Sequence, residues 1–131
     1  MKKAFTLIEM MLVVIIIGIL AAMVVPGLAG RSEQARTAAA KADINSTLST
    51  ALDLYEMDMG SYPESLDYLT TRPTSSENWH GPYVKKKPRD PWGKVYVYKY
   101  PGEHNTASFD LSSPGKDGQS GTDDDIVNWE D

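Results

Sequence analysis

The chain has 131 residues, no cysteine and a net charge of −5. The absence of cysteine excludes disulfide bonds and thiolate metal sites. The charge is uneven, because residues 102–131 carry eight acidic residues and one lysine, a net of −7, which leaves +2 for the rest. An acidic C-terminal end argues against nucleic acid and in favour of a cation as the partner of that region.

The N-terminal segment is apolar enough to span a membrane. After Lys2 and Lys3, about 20 residues from Phe5 onward are almost all apolar, the length that a bilayer-spanning helix needs. The two lysines should stay on the cytoplasmic side. A cleaved secretory signal and a plain anchor are the simple interpretations. Glu9 fits neither, because a carboxylate in hydrocarbon costs ~2.5–3.5 kcal/mol and usually has a partner. That partner is expected to come from another chain or from a new amino terminus.

A long helix is predicted to continue beyond the apolar segment. Gly18 and Pro26 interrupt the apolar run, and a proline within a helix predicts a kink. From Arg31 the pattern becomes that of an amphipathic helix ending at Gly60. Its predicted apolar face consists of Ala35, Ala38, Ala42, Leu48, Leu52, Tyr55 and Met59. Its predicted charged face consists of Glu33, Lys41, Asp43, Asp53 and Glu56.

The C-terminal part predicts a small antiparallel sheet packed on this helix. Ser61 and Ser65 are both candidates for the start of a short helical turn that carries two leucines. In residues 94–100, valine and lysine alternate with tyrosine, which predicts a strand. Residues 107–113 are a second strand candidate, and a short piece near Tyr83 is a third.

The soluble part has no pattern typical of an enzyme or a nucleic-acid-binding protein. The sequence KKKPR at residues 85–89 predicts a solvated turn, because Pro88 interrupts it and no aromatic residues are interleaved with its charges. His80 and His104 lie in predicted loops, at no spacing that suggests zinc binding or catalysis. We find no nucleophile arrangement and no glycine-rich phosphate loop. The chain is therefore predicted not to be an enzyme.

An acidic, glycine-containing loop, SSPGKDGQSGTDDDIVNW, is the most informative soluble segment. It combines three glycines with Asp117, Asp123, Asp124 and Asp125. Calcium takes about six to eight oxygens from carboxylates and carbonyls, and a flexible loop can bend such oxygens inward. The EF-hand pattern is absent. A disordered acidic tail is the alternative, against which Trp129 argues because a large aromatic side chain usually docks.

The N-terminal sequence KKAFTLIEMMLVVIIIGILAAMVVP resembles the class III signal of type IV pilins and type II secretion pseudopilins. The resemblance implies cleavage by a prepilin peptidase between Ala4 and Phe5, and N-methylation of the new terminal amine. Ala4 stands where the family usually has glycine. Glu9 would pair with the amine of Phe5 in the neighbouring subunit of a filament, so that a costly charge sets the registry. In such filaments the helix melts between the positions of Gly18 and Pro26.

The motifs SYP, DPWG and PGKDGQSGTDDDIVNW resemble those of the major pseudopilins of type II secretion systems, and the resemblance covers essentially the whole chain. It implies an α+β fold, in which a long N-terminal helix packs on a small antiparallel sheet with a C-terminal calcium loop. The implied calcium ligands are the carboxylates or carbonyls of Pro114, Asp117, Thr122, Asp124 and Asp125. The role of Asp123 stays open. Calcium would replace the disulfide that type IV pilins commonly have in this region.

The expected domains are a leader at residues 1–4, a transmembrane and filament-core helix at 5–29, and a periplasmic globular domain at 30–131. The resemblance implies a structural subunit of a type II secretion pseudopilus, which sits in the bacterial inner membrane before assembly and polymerises to drive protein export across the outer membrane. The implied partners are further copies of the chain, minor pseudopilins, the inner-membrane assembly platform and prepilin peptidase, but no nucleic acid. The alternatives are a type IV pilin of a surface filament and a monomeric membrane-anchored binding module.

Overall fold

The computed structural model describes residues 2–130. Its elements in chain order are α1 (Leu7–Ala42), a π-helical turn (Asp43–Thr47), α2 (Leu48–Met59), a 3-10 helix (Leu66–Leu69), β1 (Val97–Lys99), β2 (Asp110–Ser113) and β3 (Ile126–Val127). The chain forms two compact units, Met1–Ala35 and Arg36–Asp131.

The first unit contains the N-terminal part of α1, whose large apolar side chains are exposed between Leu7 and Leu28. This helix is long and apolar enough to cross a membrane, and it is the one such helix in residues 2–130. It continues through Pro26 without a break in the single chain. The melting expected between Gly18 and Pro26 belongs to the filament, so it stays a prediction.

A π-helical turn joins α1 to α2 in the second unit. The Ser49 hydroxyl donates a hydrogen bond of 2.6 Å to the Ile44 carbonyl, which lies five residues earlier. The Asp43 carboxylate accepts a hydrogen bond of 2.8 Å from the Tyr96 hydroxyl. Asp43 was predicted on the solvent side of the helix, and this prediction is wrong, because the carboxylate is half-buried and is used to attach the helix to the segment before β1.

The predicted end of the helix is confirmed. Gly60 follows Met59 with a left-handed φ of 85°, a conformation that glycine adopts at little cost. Its N–H donates to the Glu56 carbonyl at 2.7 Å. The predicted short helical turn is also confirmed, and it is Ser65 that caps it, by accepting a hydrogen bond from the Asp67 N–H.

The predicted apolar face of the helix is correct in its C-terminal half only. Burial there is confirmed for Leu48, Leu52 and Tyr55. In the N-terminal half, Ala35, Ala38 and Ala42 are exposed, and Ala40 and Ile44 are buried instead. Alanines occur on every side of this part of the helix, so their spacing did not identify the side that packs.

Three short antiparallel strands form a sheet in the order β1-β2-β3. The strands predicted in residues 94–100 and 107–113 are confirmed, although both are shorter than their predicted ranges. The third strand was predicted near Tyr83, and this was wrong. The Tyr83 N–H donates instead to the Leu69 carbonyl at 2.7 Å, which fastens that segment to the 3-10 helix. The third strand is β3, which follows the acidic loop.

The core lies between α2 and the sheet. It is formed by Ala40, Ile44, Leu48, Ala51, Leu52, Tyr55, Leu69, Tyr96, Phe109, Leu111 and Ile126. The predicted alternation before and within β1 is confirmed, since Tyr96 is buried whereas Val95 is 60% exposed. Each fully buried leucine contributes ~1.5–3 kcal/mol, so this core holds the second unit together without a disulfide.

Candidate functional site

Glu9 takes part in a pair of hydrogen bonds at the start of α1. The Thr6 N–H donates to the Glu9 carboxylate at 3.4 Å, and the Glu9 N–H donates to the Thr6 hydroxyl at 3.3 Å. This reciprocal arrangement is a capping box, in which two N–H groups near the helix terminus gain acceptors. The Glu9 carboxylate therefore has a weak partner within its own chain. This partner was not predicted, although the T-x-x-E spacing before an apolar run is its signature.

The expected cleavage position precedes this cap. Ala4 and Phe5 lie in the irregular segment before Leu7, where α1 begins, and both are exposed. The Phe5 side chain is 74% exposed. The peptide bond between Ala4 and Phe5 is thus not part of the helix.

The acidic loop, residues 114–125, connects β2 to β3. Gly115, Gly118 and Gly121 all have positive φ, between 69° and 87°, which other residues rarely adopt. At Gly115 there is also no room for a side chain. A Cβ atom there would lie 2.7 Å from an oxygen of the Asp124 carboxylate, and it would contact the Asp124 carbonyl as well. The end of the loop therefore packs directly against its start.

Three carboxylates converge in this loop. One oxygen from each of Asp117, Asp124 and Asp125 lies within 4.8 Å of the other two. The Asp117 N–H donates to Asp124 at 2.9 Å, and the Gly121 N–H donates to Asp125 at 2.6 Å. The Thr122 hydroxyl lies 2.6 Å from an Asp124 oxygen and 3.2 Å from an Asp125 oxygen. The donors to Asp124 favour the charged form of that carboxylate.

The electrostatics of the cluster suit a cation. A hydrogen bond from the Thr122 hydroxyl, followed by one from the Asp117 N–H, lowers the pKa of Asp124 below its ordinary value. The charged form of Asp124 is therefore favoured, and negative charges on neighbouring carboxylates repel one another unless a cation balances them. Oxygen donors alone, and mainly carboxylates, fit a hard cation such as calcium. The residues present thus fit the expected metal.

The two other predicted ligands, Pro114 and Thr122, lie at different places in the acidic loop. Pro114 is buried at the start of the loop, ahead of all three carboxylates, and Thr122 is half-buried between Asp117 and Asp124. Asp123 is exposed and is not a member of the cluster in the described part of the chain.

Asp110 is a buried carboxylate that was not predicted as a functional residue. Its oxygens accept hydrogen bonds from the N–H groups of Glu103, His104 and Asn105 at 2.8–2.9 Å, and the His104 Nδ1 lies 3.0 Å away. Burial raises the pKa of Asp110, but these hydrogen bonds outweigh burial and lower the pKa to about 2. His104 also stacks on Trp129, so the predicted docking of that indole is confirmed.

Comparison with known proteins identifies one family match at the N-terminus and a second that covers the rest of the chain. Residues 1–25 match the prokaryotic N-terminal methylation motif, and residues 27–129 match the family of type II secretion system protein G. The chain is 45% identical to the type II secretion system core protein G of Escherichia coli K12, over 98% of this chain and 91% of that protein. It is 46% identical to the protein of that name from Vibrio cholerae, over 98% and 92%.

The fold also resembles that of a solved relative. The crystal structure of the major pseudopilin from the type 2 secretion system of enterohaemorrhagic Escherichia coli superposes with a TM-score of 0.63 at 33% sequence identity. The match covers 79% of this chain and 95% of that one.

A methylation motif, an apolar N-terminal helix and a small helix-on-sheet unit define a protein of the pilin-like class. The chain belongs to the type II secretion system protein G family. The interpretation as a pseudopilin is therefore confirmed in preference to a type IV pilin.

Proposed function

We propose that the chain polymerises through its N-terminal helix into a periplasmic pseudopilus, which drives the export of proteins across the outer membrane. The observation that carries this proposal is the agreement of the two family matches over nearly the whole chain. The role is structural, and the chain is not an enzyme.

Assembly would depend on an exchange of partners at Glu9. In the single chain its carboxylate accepts one long hydrogen bond, from the neutral N–H of Thr6. After cleavage at Ala4–Phe5, the amine of Phe5 in a neighbouring copy would offer a positive charge. Charge-assisted hydrogen bonds are roughly twice as strong as neutral ones, and their strength rises in an apolar environment. The carboxylate would therefore leave its own cap for the neighbouring amine, and this step would fix the registry of the filament.

The exposed apolar surface of α1 would have two successive environments. Before assembly it would contact lipid in the inner membrane, with Lys2 and Lys3 on the cytoplasmic side and the globular unit in the periplasm. After assembly it would contact the α1 helices of neighbouring copies. The other expected partners are prepilin peptidase, the minor pseudopilins and the inner-membrane assembly platform.

The acidic loop would bind calcium and stabilise the globular unit. The ligands would be the carboxylates of Asp117, Asp124 and Asp125, with the carbonyls of Pro114 and Thr122. A bound cation would neutralise the three carboxylates and fasten the connection between β2 and β3. In a chain without cysteine, it would do what a disulfide does elsewhere, by closing a loop.

The test is complementation in a type II secretion host that lacks its own protein G. Expression of this chain should restore both the release of a secreted enzyme into the medium and the crosslinking of subunits into periplasmic filaments. A matched chain in which Phe5 is deleted should restore neither. Long surface filaments without restored secretion would contradict the proposal and would indicate a pilin.

A further inference from the structure

We infer that Asp90 is a positioning residue for the acidic loop, and that it acts through Ser113 on Gly115. The three residues form a chain of buried hydrogen bonds from the DPWG turn to the first residues of the loop. This inference rests on the proposed cation site, and it adds a residue outside the loop that sets the loop's affinity for calcium.

The Asp90 carboxylate accepts hydrogen bonds from three residues. Asp90 is 4% exposed. Its Oδ1 accepts hydrogen bonds from the N–H groups of Trp92 at 3.1 Å and of Lys94 at 2.7 Å, which closes the turn on the carboxylate. Its Oδ2 lies 2.8 Å from the Ser113 hydroxyl. One oxygen therefore fixes the carboxylate in the turn, and the other is presented to the last residue of β2.

The hydrogen bond between Ser113 and Asp90 runs from the serine hydroxyl to the carboxylate. A carboxylate can only accept, and a serine hydroxyl has a single proton, so Ser113 donates that proton to Asp90. Its lone pairs are then free to accept the Gly115 N–H, which lies 3.2 Å from the Ser113 oxygen. Because Ser113 is fully buried, water cannot replace either partner. Asp90 thereby determines how Ser113 holds the start of the loop.

The position of Gly115 is transmitted to a proposed ligand. Asp124 packs so closely on Gly115 that no side chain fits between them. A displacement of Gly115 would therefore move Asp124 relative to Asp117 and Asp125, and ligand spacing that is fixed in advance is what gives a site its affinity.

The same turn contacts the loop at a second point. The side-chain carbons of Lys94 pack over Gly118, and a Cβ atom on Gly118 would lie 3.1 Å from the Lys94 Cε. Lys94 is also the residue whose N–H and carbonyl close the turn on Asp90. The turn and the loop thus form one packed assembly with two points of contact.

The test is a calcium titration by calorimetry on the full chain in non-ionic detergent. The Asp90→Asn variant keeps an oxygen for the turn, but its amide group would donate toward Ser113, which leaves the serine proton without an acceptor. The Ser113→Ala variant removes the link and leaves the turn intact. The matched control is Tyr98→Phe, which removes the hydrogen bond of 2.7 Å to the Pro63 carbonyl.

We expect Asp90→Asn and Ser113→Ala each to raise the Kd for calcium by about tenfold or more. The double variant should bind calcium as tightly as the weaker-binding single variant, because both substitutions interrupt the same path of hydrogen bonds. Tyr98→Phe should change the Kd by less than about twofold. In chelator, the amide resonance of Gly115 should shift in both loop-linked variants and stay unchanged in the control. If Asp90→Asn does not fold, Ser113→Ala decides the question.

Wild-type affinity in a folded Ser113→Ala variant would overturn the positioning role while leaving the calcium site intact. A wild-type chain that does not bind calcium would overturn the site and this inference together.

Discussion

The imidazole ring of His104 lies flat against the indole of Trp129, with the ring centroids 4.1 Å apart and the planes inclined by 4°. The same imidazole contacts the Asp110 carboxylate. This ring therefore links the C-terminal segment to the loop between β1 and β2. Ser113 holds the chain just before the acidic loop, and the stack on Trp129 holds the chain just after the loop and β3.

Truncation of the indole should loosen this end of the fold. We expect Trp129→Ala to lower the free energy of unfolding by about 1–3 kcal/mol, because both the aromatic stack and part of its apolar burial are lost. Trp129→Phe should retain most of the stability, since a phenyl ring can still stack on His104. Urea denaturation of the full chain measures both variants, and equal stability of Trp129→Ala and the wild type would show that the stack contributes nothing.

The buried carboxylate of Asp110 should make stability depend on acid. Its pKa is lowered to about 2 in the folded chain, from an ordinary value of 3.8. Its contribution to stability is therefore complete above pH 3.8 and is lost as the pH falls toward about 2. The Asp110→Asn variant should lose less stability than the wild type over that interval. Unfolding curves at several pH values provide the measurement, and parallel losses in the two chains would contradict the assignment.

The charge of Glu9, rather than its capping role, should control assembly. Glutamine can replace glutamate in a capping box, so Glu9→Gln keeps the helix start and removes only the charge. We expect normal membrane insertion and at least about a tenfold loss of crosslinked filaments, since one charged hydrogen bond contributes ~1.5–3 kcal/mol. Glu33→Gln, on the same helix, should assemble normally. Wild-type filament yield in Glu9→Gln would refute pairing through charge.

Calcium should stabilise the globular unit through the acidic cluster. A ligand at 100 times its Kd adds ~2.7 kcal/mol, which corresponds to a rise in Tm of about 10–20 °C for a unit of this size. Asp117→Asn and Asp124→Asn should abolish most of this rise. Asp123→Asn should preserve it, because Asp123 lies outside the cluster. Thermal melts in calcium and in chelator provide the comparison, and an equal loss in all three variants would argue against a specific site.

A side chain at Gly115 should be far more damaging than one at Gly121. Both glycines have positive φ, so alanine costs ~1–2 kcal/mol at either position. Gly121 has open space around its Cα, whereas Gly115 packs against Asp124. Gly115→Ala should therefore show an additional loss of stability and of calcium affinity. Similar values for the two variants would mean that the close packing at Gly115 has no energetic consequence.

The features that were predictable from the sequence are those with local causes. Large side chains at helical spacing identified Leu48, Leu52 and Tyr55 as core, and glycine identified the end of α2. Three of the four acidic residues predicted in the loop converge, because positive-φ glycines turn the chain back on itself. The capping box at Glu9 was readable from its spacing but was overlooked.

The features that escaped prediction depend on contacts between distant parts of the chain. β3 has two residues, too few for a pattern, and it exists because β2 offers a partner. The hydrogen bond between Asp90 and Ser113 joins positions 23 residues apart, and nothing in the intervening sequence indicates it. Ala40 is buried and Ala38 exposed through tertiary packing alone.

The π-helical turn at Asp43–Thr47 affects the number of residues that this helix contains in comparison with the same helix in relatives. Such a turn accommodates one residue more than a turn of α-helix, and here the bonds of Ser49 and Asp43 stabilise it. A relative whose helix is regular at this place should therefore be one residue shorter inside the helix. The helix can therefore gain or lose one residue at this turn without being interrupted. A sequence alignment of this protein with its relatives should allow a gap there, although gaps are usually not placed inside helices.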